Sequence, residues 1–453
     1  MKKEFFKYAI PSALAMFISS LYTVIDGIFV GQGVGDSALA AVNIVLPFTV
    51  MLFGLASMFA IGGGALVSKN IGANNVKKAV NIFRQVFKSL LIFSLIISIV
   101  CILFTTPIVS MLGATEVLKP LAVEYLRFYA LFCIPNLVGI VLNSFVRNDG
   151  RPKLAMVSTI SGAITNIILD YIFIFQLGMG IKGAAIATGL GQIVTVSIVL
   201  PHFIMKKGYL SFGNVKVSFK TVKEFCTIGF PSFFAQGSYS IIVLLHNIAL
   251  VKYAGEMGVS AYSILNYITT NIYMVLYGIT LGVQPLVSYN YGKKDVEKML
   301  GFFRITSISN IIITGFFVII SFVFGPSLIS IFTNDTQIAQ MAYAALKIAC
   351  LSYFAVGLNL NSLVYYQAIE IPKYSNLSCI LRSIVYLPIC LFILGRFFGI
   401  NGIWASAIVS ETLTFITIKL VGNIKSYTFT PIHIFKQILL IYSFCLAIFI
   451  LSF

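Results

Sequence analysis

Three of the 14 acidic residues in this sequence, Asp26, Asp170 and Glu411, stand inside long apolar runs rather than between them. A carboxylate at membrane depth costs roughly 3 kcal/mol or more, so each of the three requires a partner or a task. Counted from the ends of their runs at 1.5 Å per residue, Asp26 and Asp170 both lie roughly 8 to 10 Å beneath the same interface. Asn166 is one helical turn from Asp170 on the same face, and Thr188 reaches the same depth in the following run. Two carboxylates, an amide and a hydroxyl can therefore converge. Such a cluster suits uptake of a proton, because burial and a like-charged neighbour both penalise a second negative charge. It equally suits Na⁺ held by the oxygens of Asp26, Asp170, Asn166 and Thr188. The competing reading is local: each Asp bonds its own helix or meets water near a helix end. Glu411 lies about midway along its run and has two readings of equal standing, an ion pair with a cation such as Arg382 or a part in the chemistry.

The elements that position these groups must be membrane helices. The chain is 59% hydrophobic and 10% charged, with a mean hydropathy of +0.98, over 453 residues. Apolar runs of about 20 residues recur throughout and are too continuous for the alternating strands of a barrel. Twelve spans are expected near 9–31, 43–68, 86–110, 121–146, 155–177, 183–204, 227–251, 261–288, 304–325, 341–366, 375–395 and 401–422. The first run continues into a full-length span behind Lys2, Lys3 and Lys7, so it reads as a span and not as a cleaved leader. With the N-terminus cytoplasmic, 25 of the 31 Lys and Arg fall on the inside. Only Lys119, Arg127, Lys182, Lys252, Lys347 and Arg396 face outward, which predicts both ends of the twelve-span unit inside. Because the cations sit in short loops and not on a basic face, the net charge of +17 points to the lipid bilayer and not to nucleic acid. The seven cysteines lie in or beside apolar runs without CxxC spacing and read as small apolar side chains. Residues 438–453 form a last apolar segment, open to reading as a thirteenth span or an interfacial helix.

The sequence is also duplicated. An offset of 220 lays Glu4–Arg84 on Glu224–Arg304 without a gap, with 21 of 81 pairs identical. LVSKNIG (66–72) falls on LVSYNYG (286–292), Pro152-Lys153 on Pro372-Lys373, and Gly183 on Gly402 at an offset of 219. Two halves of six spans run the same way through the bilayer, related by an axis along its normal, with a binding site expected between them. The expected lobes are residues 1–205 and 224–425, joined by a basic cytoplasmic linker, 206–223, and followed by a tail, 426–453. At the offset, His246 replaces Asp26, while Ile389 or Cys390 replaces Asp170. In place of acids the second half offers Gln236, His246, Asn247, Asn266, Tyr267, Asn271, Tyr273, Tyr277, Asn359 and Asn361. As a group these suit a cavity for a planar or cationic organic molecule, held by stacking and cation–π contact. For His246 alone, a packing histidine is the stronger reading.

At these residues the chain resembles the multidrug and toxic compound extrusion family, over essentially residues 4–425. The resemblance rests on IDGIFVGQGVGDSALAAVNIVLPF (25–48), the GxxxLVSxNxG element of both halves, VRNDGRPKLAM (146–156), NIILDYIF (166–173) and KGAAIATGLGQ (182–192). It implies an all-α integral membrane fold of two six-helix lobes around a V-shaped cavity. It also implies export of amphipathic, often cationic, small organic compounds driven by H⁺ or Na⁺. In the branch named for its DNA-damage-inducible member, to which the chain is similar, the cation site lies in the first lobe. The family's first-span Asp, fifth-span Asn and Asp, and sixth-span Thr match Asp26, Asn166, Asp170 and Thr188; a fourth-span Asn is similar in setting to Asn143. The chain departs from the other bacterial branch in lacking acids in spans 7, 8 and 10.

The expected protein is thus a monomeric secondary antiporter of the inner (plasma) membrane, without a bound cofactor. The rival reading, a flippase for a lipid-linked sugar or cell-wall precursor, calls for a strongly basic cavity, and the spans offer only Arg127, Lys347 and Arg382. An intramembrane enzyme is disfavoured because the chain has no HExxH and only three scattered His; it also lacks the Gx₄GK[ST] phosphate loop.

Overall fold

The computed structural model describes residues 1–423, and every regular element among them is helical. In chain order the helices are α1 (Lys2–Gly33), α2 (Asp36–Gly72), α3 (Val76–Leu103), α4 (Thr105–Met111), α5 (Lys119–Leu131), α6 (Cys133–Asn148) and α7 (Pro152–Tyr171). There follow α8 (Ile181–Ile204), α9 (Phe219–Lys293), α10 (Val296–Ser330), α11 (Thr336–Ala349), α12 (Tyr353–Ala368), α13 (Pro372–Ile380) and α14 (Tyr386–Asn423). Helix α1 alone, at 32 residues, is ~48 Å long and overreaches a hydrocarbon core of ~30 Å.

Nine of the helical runs are long and apolar enough to cross a membrane, and α5 with α6 make a tenth span bent by 54°. Two of the runs, α9 and the stretch Pro372–Gly422, hold two spans each, because the backbone reverses at Gly255 (φ +61°) and Gly399 (φ +58°). The described residues therefore hold twelve spans, as the apolar runs predict. The reversals obey the duplication: Gly35 (φ +115°) is the counterpart of Gly255, and Gly180 (φ +62°) that of Gly399. All four adopt a φ that glycine reaches without the penalty a Cβ imposes.

The helices also run further than the apolar pattern suggests. LVSKNIG lies inside α2, and Phe219–Lys223 is the first turn of α9 rather than linker. The rest of the linker is pinned to the first half. Asp149 accepts from the backbone N–H groups of Tyr209 (2.8 Å) and Leu210 (3.2 Å), and Arg84 Nε donates to the Ser211 carbonyl (2.9 Å). Beneath it, Phe83 packs on Phe145, Phe203 and Phe212 at ring separations of 5.0 to 5.6 Å.

Compactness does not follow the repeat boundary. One unit comprises Met1–Ser240, Met274–Ile308 and Asn361–Asn376; the other comprises Ile241–Tyr273, Ser309–Leu360 and the described chain from Leu377 onward. The first unit gathers the loop ends that carry most of the basic residues, here called the basic end. The apolar segment 438–453 lies outside the described residues.

Candidate functional site

The geometry around Asp26 and Asp170 begins with glycine. A Cβ on Gly162 of α7 would come within 2.7 Å of the Gly191 carbonyl oxygen of α8, and one on Gly191 within 2.7 Å of the Gly162 carbonyl oxygen. The two helices therefore touch backbone to backbone, which larger residues would forbid. Asn166 is one turn beyond Gly162 and Thr188 one turn from Gly191, so this approach sets the Asn166 amide 3.5 Å from the Thr188 hydroxyl. Asp170 follows one turn later and is fully buried. Immediately after it the helix widens into a π-turn, Ile172–Gln176, a local irregularity that often marks functional positions. Helix α1 packs against α7 and brings the Asp26 carboxyl beside that of Asp170.

What distinguishes the cluster is its unmet bonding capacity. Asp26 Oδ1, both Asp170 oxygens and Asn166 Oδ1 are buried without a hydrogen-bond donor. Buried oxygens of this kind are rare and costly, and one cation or proton shared among them would satisfy several at once. Tyr22, one turn before Asp26, and Tyr125 on α5 stand within electrostatic reach of both carboxylates. The i, i+4 spacing of Tyr22 and Asp26 was readable in the sequence; nothing there pointed to Tyr125.

Asn143 is not part of this group. Its Nδ2 faces the Ala155 carbonyl (2.7 Å), Ser158 Oγ (3.0 Å) and Thr159 Oγ1 (3.0 Å). Ser158 is two turns before Asn166, ~12 Å nearer the basic end. The side chain is spent cross-linking α6 to α7, which corrects its expected membership of the cation set.

The expected cavity residues of the second half divide between the units. In the first, Gln236 is half-buried against Gly54, Tyr277 is buried beside Arg147, and Asn361 donates to the Phe303 carbonyl (2.9 Å) and Ser307 Oγ (2.7 Å). In the second, His246 is a packing residue: Nδ1 meets the Ile242 carbonyl at 2.9 Å and the ring stacks on Tyr262 at 5.1 Å. Asn266 is half-buried, Asn271 Nδ2 donates to the Tyr267 carbonyl (2.8 Å), and Tyr273 lies near Arg382. Glu411 makes the ion pair that was one of its two readings, with Oε1 2.6 Å from Arg382 Nη2, and its Oε2 accepts from Asn359 Nδ2 at 2.7 Å. Sequence reasoning missed Arg147, a loop cation by charge pattern. It is in fact buried in the last turn of α6, with no partner at Nε.

A helical membrane protein of two six-span halves, with buried carboxylates in the first, is a recognisable class of carrier. The chain belongs to the MatE family: the family model matches residues 11–172 and again 231–392, the two matches lying 220 residues apart. It is 27% identical over 414 residues to the multidrug export protein MepA of Staphylococcus saprophyticus, covering 91% of each chain. It is 28% identical over 433 residues to that of Staphylococcus haemolyticus, covering 94% of this chain and 95% of the other. Among solved structures, an outward-facing multidrug resistance MATE family transporter of the MOP superfamily matches with a TM-score of 0.89 and 25% identity. That match covers 94% of this chain and 95% of the transporter.

Proposed function

We propose that this protein is a secondary antiporter that exports amphipathic, cationic small organic compounds, with Asp26 and Asp170 coupling export to entry of H⁺ or Na⁺. The observation that carries the reading is the set of four buried oxygens, on Asp26, Asp170 and Asn166, that lack a hydrogen-bond donor. The relatives' description as multidrug export proteins supports the substrate class. In this reading the chain sits in the plasma membrane as a monomer with its N-terminus cytoplasmic, and 25 of its 31 cations lie inside. A lipid-linked pyrophosphate fits less well, because the guanidinium of Arg382 is already held by Glu411.

The chemistry follows from charge. With the site open outward, a cation enters the cluster and reduces its net negative charge. The cost of enclosing the two carboxylates in a drier lobe then falls. That difference biases the protein between its two facing states, and a tenfold bias corresponds to about 1.4 kcal/mol. Substrate leaves outward in one state; the emptied protein returns inward, where the cation leaves and substrate enters.

Everted vesicles with separately imposed pH and Na⁺ gradients test this. Asp26→Asn and Asp170→Asn should each abolish gradient-driven accumulation while the protein still folds and binds a fluorescent organic cation. Gradient-driven export by both variants at the unmodified rate would remove these carboxylates from the coupling role.

A further inference from the structure

The duplicated LVSxNxG element is the strongest repeat signal in the chain, and the coupling site uses none of it. Its letters can be read from their contacts. The serines hold the element to its own half: Ser68 Oγ donates to Asn148 Oδ1 (2.7 Å), and its counterpart Ser288 donates to the Ala368 carbonyl (3.1 Å). Asn148 and Ala368 are themselves 220 residues apart. The asparagines bond back along their own helices, Asn70 Nδ2 donating to the Leu66 carbonyl and Asn290 Nδ2 to the Leu286 carbonyl, each at 2.7 Å. The glycines face the other half. A Cβ on Gly72 would collide with the carbonyl oxygen of Tyr289, and one on Gly292 with that of Lys69, the counterpart of Tyr289. Helices α2 and α9 thus meet in a two-fold seam of bare backbone at the basic end. The first glycines of the element extend it, Gly62 lying against the Phe225 carbonyl and Gly282 against that of Tyr8.

Across this seam lies one feature that breaks the symmetry. Glu370 ends α12 with φ +61°, where its counterpart in the first half is Gly150 with φ +86°. The helix end itself is an ordinary left-handed cap, with Ile371 N–H bonded to the Tyr366 carbonyl (2.8 Å), for which glycine is the unstrained residue. A side chain at such a position is less favourable than glycine, a cost that Asn74, Lys206 and Lys294 also bear; what sets Glu370 apart is where its carboxylate goes. It is ion-paired with Lys69, which occupies the first of the two variable positions of the element. Lys69 also lies over the Tyr291 ring at 5.5 Å.

We infer that the duplicated element is the gate at the basic end of the transport path, and that Glu370, paired with Lys69, is the latch that holds it shut. Backbones in contact leave no passage, so the seam must part for a compound to enter from that side. Glycine makes the closed state reachable, while a charge pair that opens with the seam biases the equilibrium toward closure without adding bulk to it. The inference rests on the transport reading above.

Its test is a distance rather than a flux. Spin labels on Ala73→Cys and Lys293→Cys, exposed counterparts flanking the seam, report its width by pulsed EPR in a cysteine-free background. Glu370→Gly should melt at the same or a higher temperature, because its strain is relieved. It should nevertheless raise the ratio of long to short distances about fivefold, and Lys69→Gln should do the same. Gly72→Ala with Gly292→Ala should remove the short distance. An unchanged distribution in Glu370→Gly and Lys69→Gln would overturn the latch, and closure of the double alanine variant as in the unmodified protein would overturn the gate. Vesicle export by the unmodified protein, measured separately, shows whether the transport reading itself has failed.

Discussion

Replacing Glu411 by Leu should be among the more damaging single changes available in the second half. Glu411 is the acid paired with Arg382, at 2.6 Å, and their side chains are only 6% and 11% exposed. Arg382 Nε already lacks an acceptor. Removing the carboxylate would leave a guanidinium at membrane depth without a counter-charge, and breaking a buried pair from one side costs about 3 to 5 kcal/mol. Asn359 softens the loss slightly, since its Nδ2 retains the backbone carbonyl of residue 411 at 2.9 Å. The second substitution decides the interpretation. Arg382→Met in the Glu411→Leu background removes the stranded charge, and apolar replacement of a whole buried pair is neutral or stabilising by about 1 to 4 kcal/mol. Thermal melting in detergent of the two single variants and the double closes the cycle. The coupling energy should exceed about 2 kcal/mol and hold in high salt, since a buried pair is little screened. A cost below about 1 kcal/mol for Glu411→Leu alone would refute the reasoning and return Glu411 to the candidates for transport chemistry.

Asn143→Ala should lower stability by about 1 to 3 kcal/mol through lost cross-links between α6 and α7, with ion coupling measured in vesicles unchanged. Gly162→Val should push α7 from α8, separating Asn166 from Thr188, and uncouple export from the gradient even though no oxygen of the cluster is removed. Burial pushes the Asp149 carboxyl up, against the downward pull of His202 and two backbone N–H groups. Each of its oxygens nevertheless accepts from a backbone N–H, so the amide nitrogen of Asp149→Asn would face a donor, and that variant as well as Asp149→Ala should free the linker and speed tryptic cleavage after Lys206 and Lys207.

The number of spans and the duplication were legible because both depend on patterns that local chemistry enforces. Lipid demands about 20 apolar residues per crossing. A reversal between spans demands a particular φ, which kept Gly35 and Gly255 in register. That Asp26, Asp170, Asn166 and Thr188 come together was likewise legible, because a helix converts residue count into distance along its axis. What pattern cannot give is the direction a side chain faces when its alternatives are all polar. Asn143 has the right type in the right span, yet its amide meets Ala155 and Ser158. Arg147 looked like a loop cation because α6 runs further than its apolar stretch. The Lys69–Glu370 pair spans 301 positions and has no counterpart in the other half, so neither proximity nor repetition disclosed it.

The two halves started from one pattern and diverged at matching places. Asn359 and Glu411 correspond to Gly139 and Gln192 at the offsets of 220 and 219, and Arg382 corresponds to Gly162. In the first half, Gln192 Oε1 lies 2.9 Å from where a Cβ on Gly139 would stand, and Gly162 lets α7 lie against α8. In the second half the same contacts are made by an amide, a carboxylate and a guanidinium that bond one another. Close backbone packing in one half thus occupies the place of an ion pair in the other. The consequence for function is directional. Packing α7 onto α8 through glycine brings Asn166 and Thr188 together and leaves the nearby carboxylates with oxygens to offer, whereas the ion pair consumes its own charges. On the proposed function, an incoming cation would therefore find its ligands in the first half, while the corresponding positions of the second hold charges that are already matched.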